Sequence, residues 1–253
     1  RRIMNRCHAF WSLGFFGAGL SGALLAQFYI PIFWHMAGFL GVTSAMIILL
    51  LAHYRPAKQR LNDRANTAIF AYPTKPVLML VALTLSAMLL EGAGTDWSVI
   101  FMRDIFSTPP FISGMAFALG ALSQFIVRFF ADRFVDQYGP EKITSYSVIA
   151  LGIGVILVTF APLPLIALGG FVLLGAGNAV IFPLAISAAA QRTDRPASVN
   201  VAAVAQLSFI VFLLAPPFLG IMAEQFGIRS AFGICFPLVI LSWFSVKSLR
   251  APQ

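Results

Sequence analysis

Eight apolar runs, each close to the length of one membrane crossing, constrain this chain more than any other feature of its sequence. A helix rises 1.5 Å per residue, so about 20 apolar residues span the roughly 30 Å hydrocarbon core of a bilayer. Lipid offers no partner to an unpaired backbone group, so spanning helices are predicted rather than strands. The fold class is therefore an all-α, polytopic membrane bundle. We place its spans at roughly 7–29, 32–53, 76–100, 108–131, 143–162, 164–190, 198–222 and 228–247.

The distribution of basic residues sets the orientation of these spans. The chain carries 17 Lys and Arg against 9 Asp and Glu, a formal charge of +8 that would also suit a nucleic-acid-binding protein. If the N-terminus is cytoplasmic, every Lys and Arg except Arg103 and Arg229 falls at a cytoplasmic end. Lys and Arg are enriched in cytoplasmic loops of membrane proteins. We predict a multi-pass protein in the lipid bilayer, with both termini cytoplasmic and no nucleic-acid partner.

One long hydrophilic segment divides the spans into two groups. Residues 54–75 are predicted to be a cytoplasmic linker between two helices in 1–53 and a six-helix bundle in 76–253. A shift of 198 residues lays "GALLAQFYI" (22–30) over "GIMAEQFGI" (220–228) and places the first two spans on the last two. Many transporters consist of duplicated halves. We therefore expect 1–53 to be the end of another six-helix bundle, with four more helices before it.

The stretch "EGAGTDWSVIFMRD" (91–104) places two carboxylates, Glu91 and Asp96, in the third span beside Trp97. An ionisable group at the bilayer centre costs about 2.5 to 3.5 kcal/mol on insertion scales, so Glu91 is expected to face a cavity or a partner. We place it in the outer half of the membrane, where it would bind a polar solute or take up a coupling proton. Trp97 would stack on that solute or close the outer mouth. The alternative is a Glu91 that only bonds a neighbouring helix and a Trp97 that anchors at the interface.

Three amide side chains in other spans are neutral candidates for the same site: Gln124, Asn178 and Gln206. Asn178 lies near the middle of its span among small residues, which allow neighbouring helices to approach closely. Interhelical hydrogen bonding, worth about 0.6 kcal/mol, is the competing interpretation for each amide.

The segment "VRFFADRF" (127–134) carries a charge cluster at the predicted cytoplasmic rim. Arg128 and Asp132 are four residues apart, so they share a helix face and are expected to form an ion pair, with Arg133 beside them. Asp132 could also accept from the unpaired N–H groups at the start of the first span, around residues 4–8. These three residues are the gating candidates, and a solvated charge cluster is the alternative.

Enzyme chemistry is not predicted. The three histidines, His8, His35 and His53, lie at span ends without a second ligand at metal-binding spacing, and Cys7 and Cys235 form no metal or redox pattern. An embedded enzyme needs acid, base or metal ligands at one membrane depth, and the sequence offers no such cluster. We expect no metal and no cofactor.

Three segments, "VRFFADRFVDQYGPEKI" (127–143), "GGFVLLGAGNAVIFPLAISAA" (169–189) and "APPFLGIMAEQFGIRSAF" (215–232), carry a family resemblance. Together with the division into two and six spans, they resemble a major facilitator superfamily (MFS) transporter read from its fifth to its twelfth helix. The "EGA…DWS" pattern resembles the seventh helix of a bacterial, fucose-permease-like branch.

This resemblance implies a secondary active transporter of the bacterial inner membrane, monomeric when full length. It would move a small polar, sugar-like solute by alternating access without ATP, and it leaves proton coupling open. In the family, the spans bearing Glu91, Gln124, Asn178 and Gln206 correspond to cavity-lining helices. The competing class is a membrane scaffold or sensor that transports nothing.

Overall fold

The computed structural model describes residues 2–53 and 70–250, and for residues 2–7 it describes the backbone alone. Within these ranges the regular secondary structure is helical, without a strand. Eight segments are long and apolar enough to cross a membrane. This confirms the predicted fold class and the number of spans. The division into 1–53, 54–75 and 76–253 stays a prediction, and most of its linker, 54–69, lies outside the described residues.

Nine α-helices form these spans, counted over the described part of the chain: α1 (Arg2–Gln27), α2 (Ile32–His53), α3 (Lys75–Phe106), α4 (Pro110–Tyr138), α5 (Pro140–Phe160), α6 (Pro164–Ala190), α7 (Ala197–Phe226), α8 (Ile228–Gly233) and α9 (Phe236–Ser245). Several helices begin with proline at the first or second position. Proline suits a first turn because its missing N–H would have no partner there. The starts of these helices are thus set by local sequence.

The last predicted span, 228–247, is interrupted rather than continuous. A turn after Gly233 separates α8 from α9, which restarts at Phe236. Pro237 follows directly, and because proline cannot donate to the preceding turn it disrupts a helix interior. The span therefore crosses as two short helices.

Helix α3 is longer than predicted, and its length places Glu91 near the middle of the helix. The helix continues past residue 100 to Phe106 and ends where Ser107 adopts a left-handed conformation with φ of 51°. Glu91 consequently lies at the middle of a 32-residue helix. Its expected place in the outer half of the membrane stays a prediction.

Helix α3 occupies the centre of the molecule and packs against α4, α6, α7 and α9. Helix α6 packs against α3, α4, α5 and α7. Helix α1 packs along α4, whereas α2 contributes no buried residue. The site described below lies where α1, α3, α4 and α6 meet.

The antiparallel contact between α1 and α4 extends along most of α1. It is close in places, because a Cβ atom on Gly114 would overlap Ala23 and one on Gly19 would overlap Phe117. At its far end the Phe111 N–H donates to Gln27 Oε1 at 3.1 Å. This packing brings the middle of α1 against the middle of α4.

The segment before α3 is fastened to α7 and to the loop that precedes it by polar contacts, here called the linker clasp. These are Thr74 Oγ1 to Asp194 Oδ2 (2.7 Å), Asn200 Nδ2 to Asp194 Oδ1 (2.9 Å), Arg195 Nη1 to the Tyr72 carbonyl (2.9 Å) and the Ala71 N–H to Gln206 Oε1 (3.0 Å). The clasp joins the end of the predicted linker to the bundle that follows it.

At the opposite end of the molecule Arg229 caps helix α5. Its guanidinium donates to the carbonyls of Thr159 (2.9 Å) and Ala161 (2.7 Å), and it lies over the rings of Phe101 and Phe106. A cation near the C-terminal carbonyls of a helix satisfies groups that have no partner in the helix itself. The α8 segment is held to α5 in this way.

Candidate functional site

A small pocket with an internal volume of about 40 Å³, open on one side, lies between α1, α3, α4 and α6. Its lining combines a few polar groups with aromatic rings. The polar members are Glu91, Thr95, Gln124 and Asn178, and the aromatic members are Phe15, Phe117 and Phe171.

Three of the polar members share one level of the bundle. Glu91, Gln124 and Asn178 each lie within one residue of the midpoint of their helix. Substrate sites of many transporters lie near the bilayer midplane. The three side chains also meet in space.

Four side chains at this level form a closed ring of polar contacts, here called the polar ring: Ser12, Gln124, Glu91 and Arg128. Ser12 Oγ donates to Gln124 Oε1 at 3.0 Å, and Gln124 Nε2 donates to Glu91 Oε1 at 3.1 Å. Arg128 Nη2 faces the same carboxylate oxygen at 3.6 Å, and Arg128 Nη1 donates to Ser12 Oγ at 2.7 Å. Each member therefore contacts two others.

Arg128 is buried inside the bundle rather than at its rim. Its side chain is 4% exposed, and its third nitrogen, Nε, donates to the Ala179 carbonyl of α6 at 2.9 Å. All three guanidinium nitrogens thus point to Glu91, Ser12 or Ala179, and the predicted pairing with Asp132 gives way to a pairing with Glu91. The reason is that α4 turns this face toward α1, α3 and α6, where a carboxylate needs a counter-charge.

Asn178 ties α6 to the backbone of α3 beside Glu91. With its amide oriented to suit its neighbours, its nitrogen donates to the Ala87 carbonyl and its oxygen accepts from the Glu91 N–H, both at 3.2 Å. These two peptide groups are the pair that bonds within a regular helix. Asn178 therefore fixes the backbone from which the Glu91 side chain projects.

The family model described as the Major Facilitator Superfamily matches residues 2–207 and 79–252, which together cover almost the whole sequence. The chain belongs to the Major Facilitator Superfamily.

Relatives within this superfamily are distant. An uncharacterized MFS-type transporter of Yersinia pestis is 28% identical over 243 residues, covering 96% of this chain and 62% of the relative. An uncharacterized transporter of Sinorhizobium fredii is 27% identical over 237 residues, covering 92% of this chain and 62% of the relative. The membrane protein MosC of Rhizobium meliloti is 26% identical over 155 residues, covering 61% and 38%. The chain spans about three fifths of the length of the first two relatives, and no solved structure matches it significantly.

The structure brings three of the six predicted binding residues together and places the other three elsewhere. Asp96 is exposed, because five residues after Glu91 the helix has turned it by about 140° from that face. The Trp97 ring lies against Gly220 of α7, away from the pocket lining. Gln206 accepts from Ala71 in the linker clasp.

The remaining gating candidates of this MFS protein lie further along α4. Asp132 is partly buried and Arg133 is exposed. The predicted contact of Asp132 with the start of the first span rests on residues 4–7, whose side chains and surroundings lie outside the described part of the chain. A gating role for Arg128, Asp132 and Arg133 stays a prediction.

Two residues near the charge pair were missed by the sequence argument. Ser12 is fully buried in the polar ring. His8, one turn earlier on α1, interacts electrostatically with both Arg128 and Glu91. A carboxylate in mid-span demands a cationic partner, and that requirement could have directed attention to Arg128 and to the helix packed against it.

The pocket of this MFS chain places hydrogen-bonding groups beside aromatic rings. Glu91 is 16% exposed and its charge is balanced by Arg128 behind it, so the two together add no net charge. Carboxylate and amide oxygens can accept hydrogen bonds, amide nitrogens can donate them, and the aromatic faces can pack on an apolar ring surface. Pockets of this kind orient a small ligand with few polar groups.

Proposed function

We propose that this chain is the larger part of a secondary transporter that moves a small polar solute across the bacterial inner membrane. Residues 1–53 would complete an N-terminal bundle, 54–75 would be the cytoplasmic linker, and 76–253 would be the C-terminal bundle. Both termini would be cytoplasmic, and the full-length protein would act as a monomer. Family membership supports transport over a scaffold role, and with it a mechanism that forms no covalent intermediate.

The observation that carries this proposal is the buried charge pair at the mid-helix pocket. A carboxylate and a guanidinium held away from water are destabilising unless well paired, so such groups inside a membrane protein usually mark a solute or ion pathway. Glu91 reaches the pocket while Arg128 stands behind it. In this proposal Glu91, Gln124 and Asn178 bind the solute, and Glu91 is the group that would exchange a coupling proton.

The solute class follows from the lining. Two amides, one balanced carboxylate and three aromatic rings favour a sugar or polyol, and resemblance to the fucose-permease-like branch favours the same class. Two rigid helical bundles rocking about this level would expose the pocket to each side in turn. Asp132 and Arg133 would take part in closing the cytoplasmic side.

The test is uptake by the intact protein in proteoliposomes, with a panel of radiolabelled pentoses, hexoses and polyols, with and without an inward proton gradient. We expect uptake of at least one panel member. Glu91→Gln should lower that uptake by at least about tenfold, because a hydrogen bond to a charged group contributes about 1.5 to 3 kcal/mol.

Glu224→Gln is the matched control, since Glu224 is an exposed carboxylate on α7. It should transport like the wild type. Absence of flux for every panel member would contradict the proposed solute class, and equal uptake by both variants and the wild type would remove Glu91 from the site.

A further inference from the structure

Ser12 is the member of the polar ring that comes from α1. The other three members lie on α3 and α4, which belong to the proposed C-terminal bundle. The Ser12 hydroxyl is fully buried and acts twice, donating to Gln124 Oε1 at 3.0 Å and accepting from Arg128 Nη1 at 2.7 Å. One small side chain thus links the charge pair to the neighbouring helix.

We propose that Ser12 is a positioning residue that couples the charge on Glu91 to the closure of α1 against α4, an inference that rests on the proposed alternating access. While Glu91 is ionised, it neutralises Arg128 and the ring stays closed. When Glu91 is neutral, α1 separates from α4.

The physical reason is the state of Arg128 after Glu91 loses its charge. A buried guanidinium without a counter-charge strongly destabilises the packed arrangement. Water can reach Arg128 only if a neighbouring helix withdraws, and Ser12 on α1 is the contact nearest its Nη1 atom. Separation of α1 from α4 therefore lets water hydrate the Arg128 guanidinium and removes the free-energy cost of burying it without a counter-charge.

The titratable groups around Glu91 are few. On α1 His8 interacts electrostatically with Glu91 and Arg128, and on α4 Arg128 faces the carboxylate directly. Asp96 on α3 is turned away, Glu224 on α7 is exposed, and neither α6 nor α9 carries a titratable residue. Among the described residues, His8 is a second titratable group beside the charge pair, so the experiment includes it.

The test measures the distance between α1 and the bundle in the intact protein, by electron–electron double resonance in nanodiscs without added solute. One nitroxide pair reports the end of α1, at Phe28→Cys and Leu165→Cys, which are 72% and 78% exposed. A second pair, Phe10→Cys and Tyr138→Cys, reports the other end at sites 62% and 46% exposed. Cys7→Ser removes background labelling, and Cys235 is buried.

We expect one distance population for the wild type at pH 8 and a second, longer population at one end in Glu91→Gln. Ser12→Ala should also show the longer population at pH 8, with the ratio of separated to packed molecules raised about fivefold by loss of a buried hydrogen bond. Ser12→Thr keeps the hydroxyl and should restore the wild-type distribution.

Ser21→Ala is the matched control, because the Ser21 hydroxyl bonds only carbonyls of its own helix, at Gly17 and Ala18. It should match the wild type at both label pairs. On acidification, the wild type and His8→Gln should both gain the longer population, whereas Glu91→Gln should not change further.

The inference is wrong if Ser12→Ala and Ser21→Ala give the same distance distributions. It is also wrong if His8→Gln abolishes the longer population that acidification produces. The measurement needs no solute. If the longer distance population appears as expected but the protein takes up no panel solute, the proposed function is contradicted and this inference stands. If the protein takes up a solute but Ser12→Ala leaves the distances unchanged, this inference is contradicted and the proposed function stands.

Discussion

At the scale of single residues, the direction of one guanidinium decides how the site is organised. Helical spacing predicts an Arg128–Asp132 neighbour pair, but spacing says nothing about which way the helix faces within the bundle. Packing against α1, α3 and α6 turns Arg128 inward onto Glu91, Ser12 and Ala179. Breaking a buried pair by removing one partner costs about 3 to 5 kcal/mol, because the other charge remains buried.

Arg128→Gln should therefore lower the stability of the protein markedly, by about 3 kcal/mol or more. The double variant Glu91→Gln with Arg128→Gln should lose less stability than the sum of the losses in the two single variants, because it leaves neither charge buried without its partner. Thermal unfolding midpoints in detergent measure both effects.

Arg103→Gln provides the control for this cycle, since Arg103 pairs with Asp104 at a site where the side chains are 65% and 47% exposed. An exposed pair contributes about 0 to 1 kcal/mol. Equal midpoint shifts for Arg103→Gln and Arg128→Gln would contradict a structural charge pair at Glu91.

At the scale of elements, glycines on α6 allow it to pack closely on α5 as well as on α4. A Cβ atom on Gly177 would lie 2.7 Å from the Ser147 carbonyl oxygen of α5, and one on Gly170 would lie 3.0 Å from the Val158 nitrogen. Small residues let membrane helices approach until backbones touch. This close approach places Asn178, the next residue after Gly177, against α3.

Gly177→Ala should destabilise the protein by about 1 to 3 kcal/mol, because the new methyl group overpacks the contact with α5. Gly169→Ala is the control on the same helix, since a Cβ atom there meets nothing within 4 Å. It should be neutral or gain up to about 1 kcal/mol from better helix propensity. The same unfolding midpoint distinguishes them, and a Gly177→Ala protein as stable as Gly169→Ala would refute the close packing.

The elements themselves were largely predictable, and their ends were not. Hydropathy located all eight spans, because lipid requires long apolar runs. Hydropathy predicted that the third span ends near residue 100, whereas α3 continues to Phe106 and ends at the left-handed conformation of Ser107. Hydropathy also missed the break before Pro237, because an apolar turn has the same hydropathy as an apolar helix.

At the scale of the whole molecule, most of the candidate site depends on contacts between distant parts of the chain. Polar side chains within apolar spans pointed to Glu91, Gln124 and Asn178, which the structure brings together, but also to Gln206, which lies in the linker clasp. Ser12 and Gln124 are 112 positions apart, and no local pattern joins them. Such contacts follow from helix rotation and packing, which a single sequence does not specify.

The linker clasp has a predictable pH dependence. Hydrogen bonds from Thr74 and then Asn200 hold the pKa of Asp194 below its ordinary value. Because the folded-state pKa is lowered, the ionised carboxylate stabilises the clasp above the unfolded pKa, about 3.9, and this contribution is lost as pH falls through the folded-state pKa. Asp194→Asn should raise the rate of amide hydrogen exchange at Ala71 relative to the wild type at pH 7. Below about pH 4 the two proteins should exchange at more similar rates, because Asp194 in the wild type becomes protonated.

Glu141→Gln is the control for the clasp, since it breaks an exposed pair with Arg250 elsewhere on the chain. Exchange at Ala71, compared as protection factors, should be unchanged in this variant. An Asp194→Asn protein with wild-type protection at pH 7 would show that the clasp does not depend on the carboxylate.

The pairing of Glu91 with Arg128 also bears on biogenesis. The two residues lie on consecutive helices joined by only residues 107–109. Each charge alone would resist partition from the translocon into lipid, by about 2.5 to 3.5 kcal/mol on insertion scales. Neutralised by each other, α3 and α4 would leave the translocon as one helical hairpin, so that assembly of the pocket begins during synthesis.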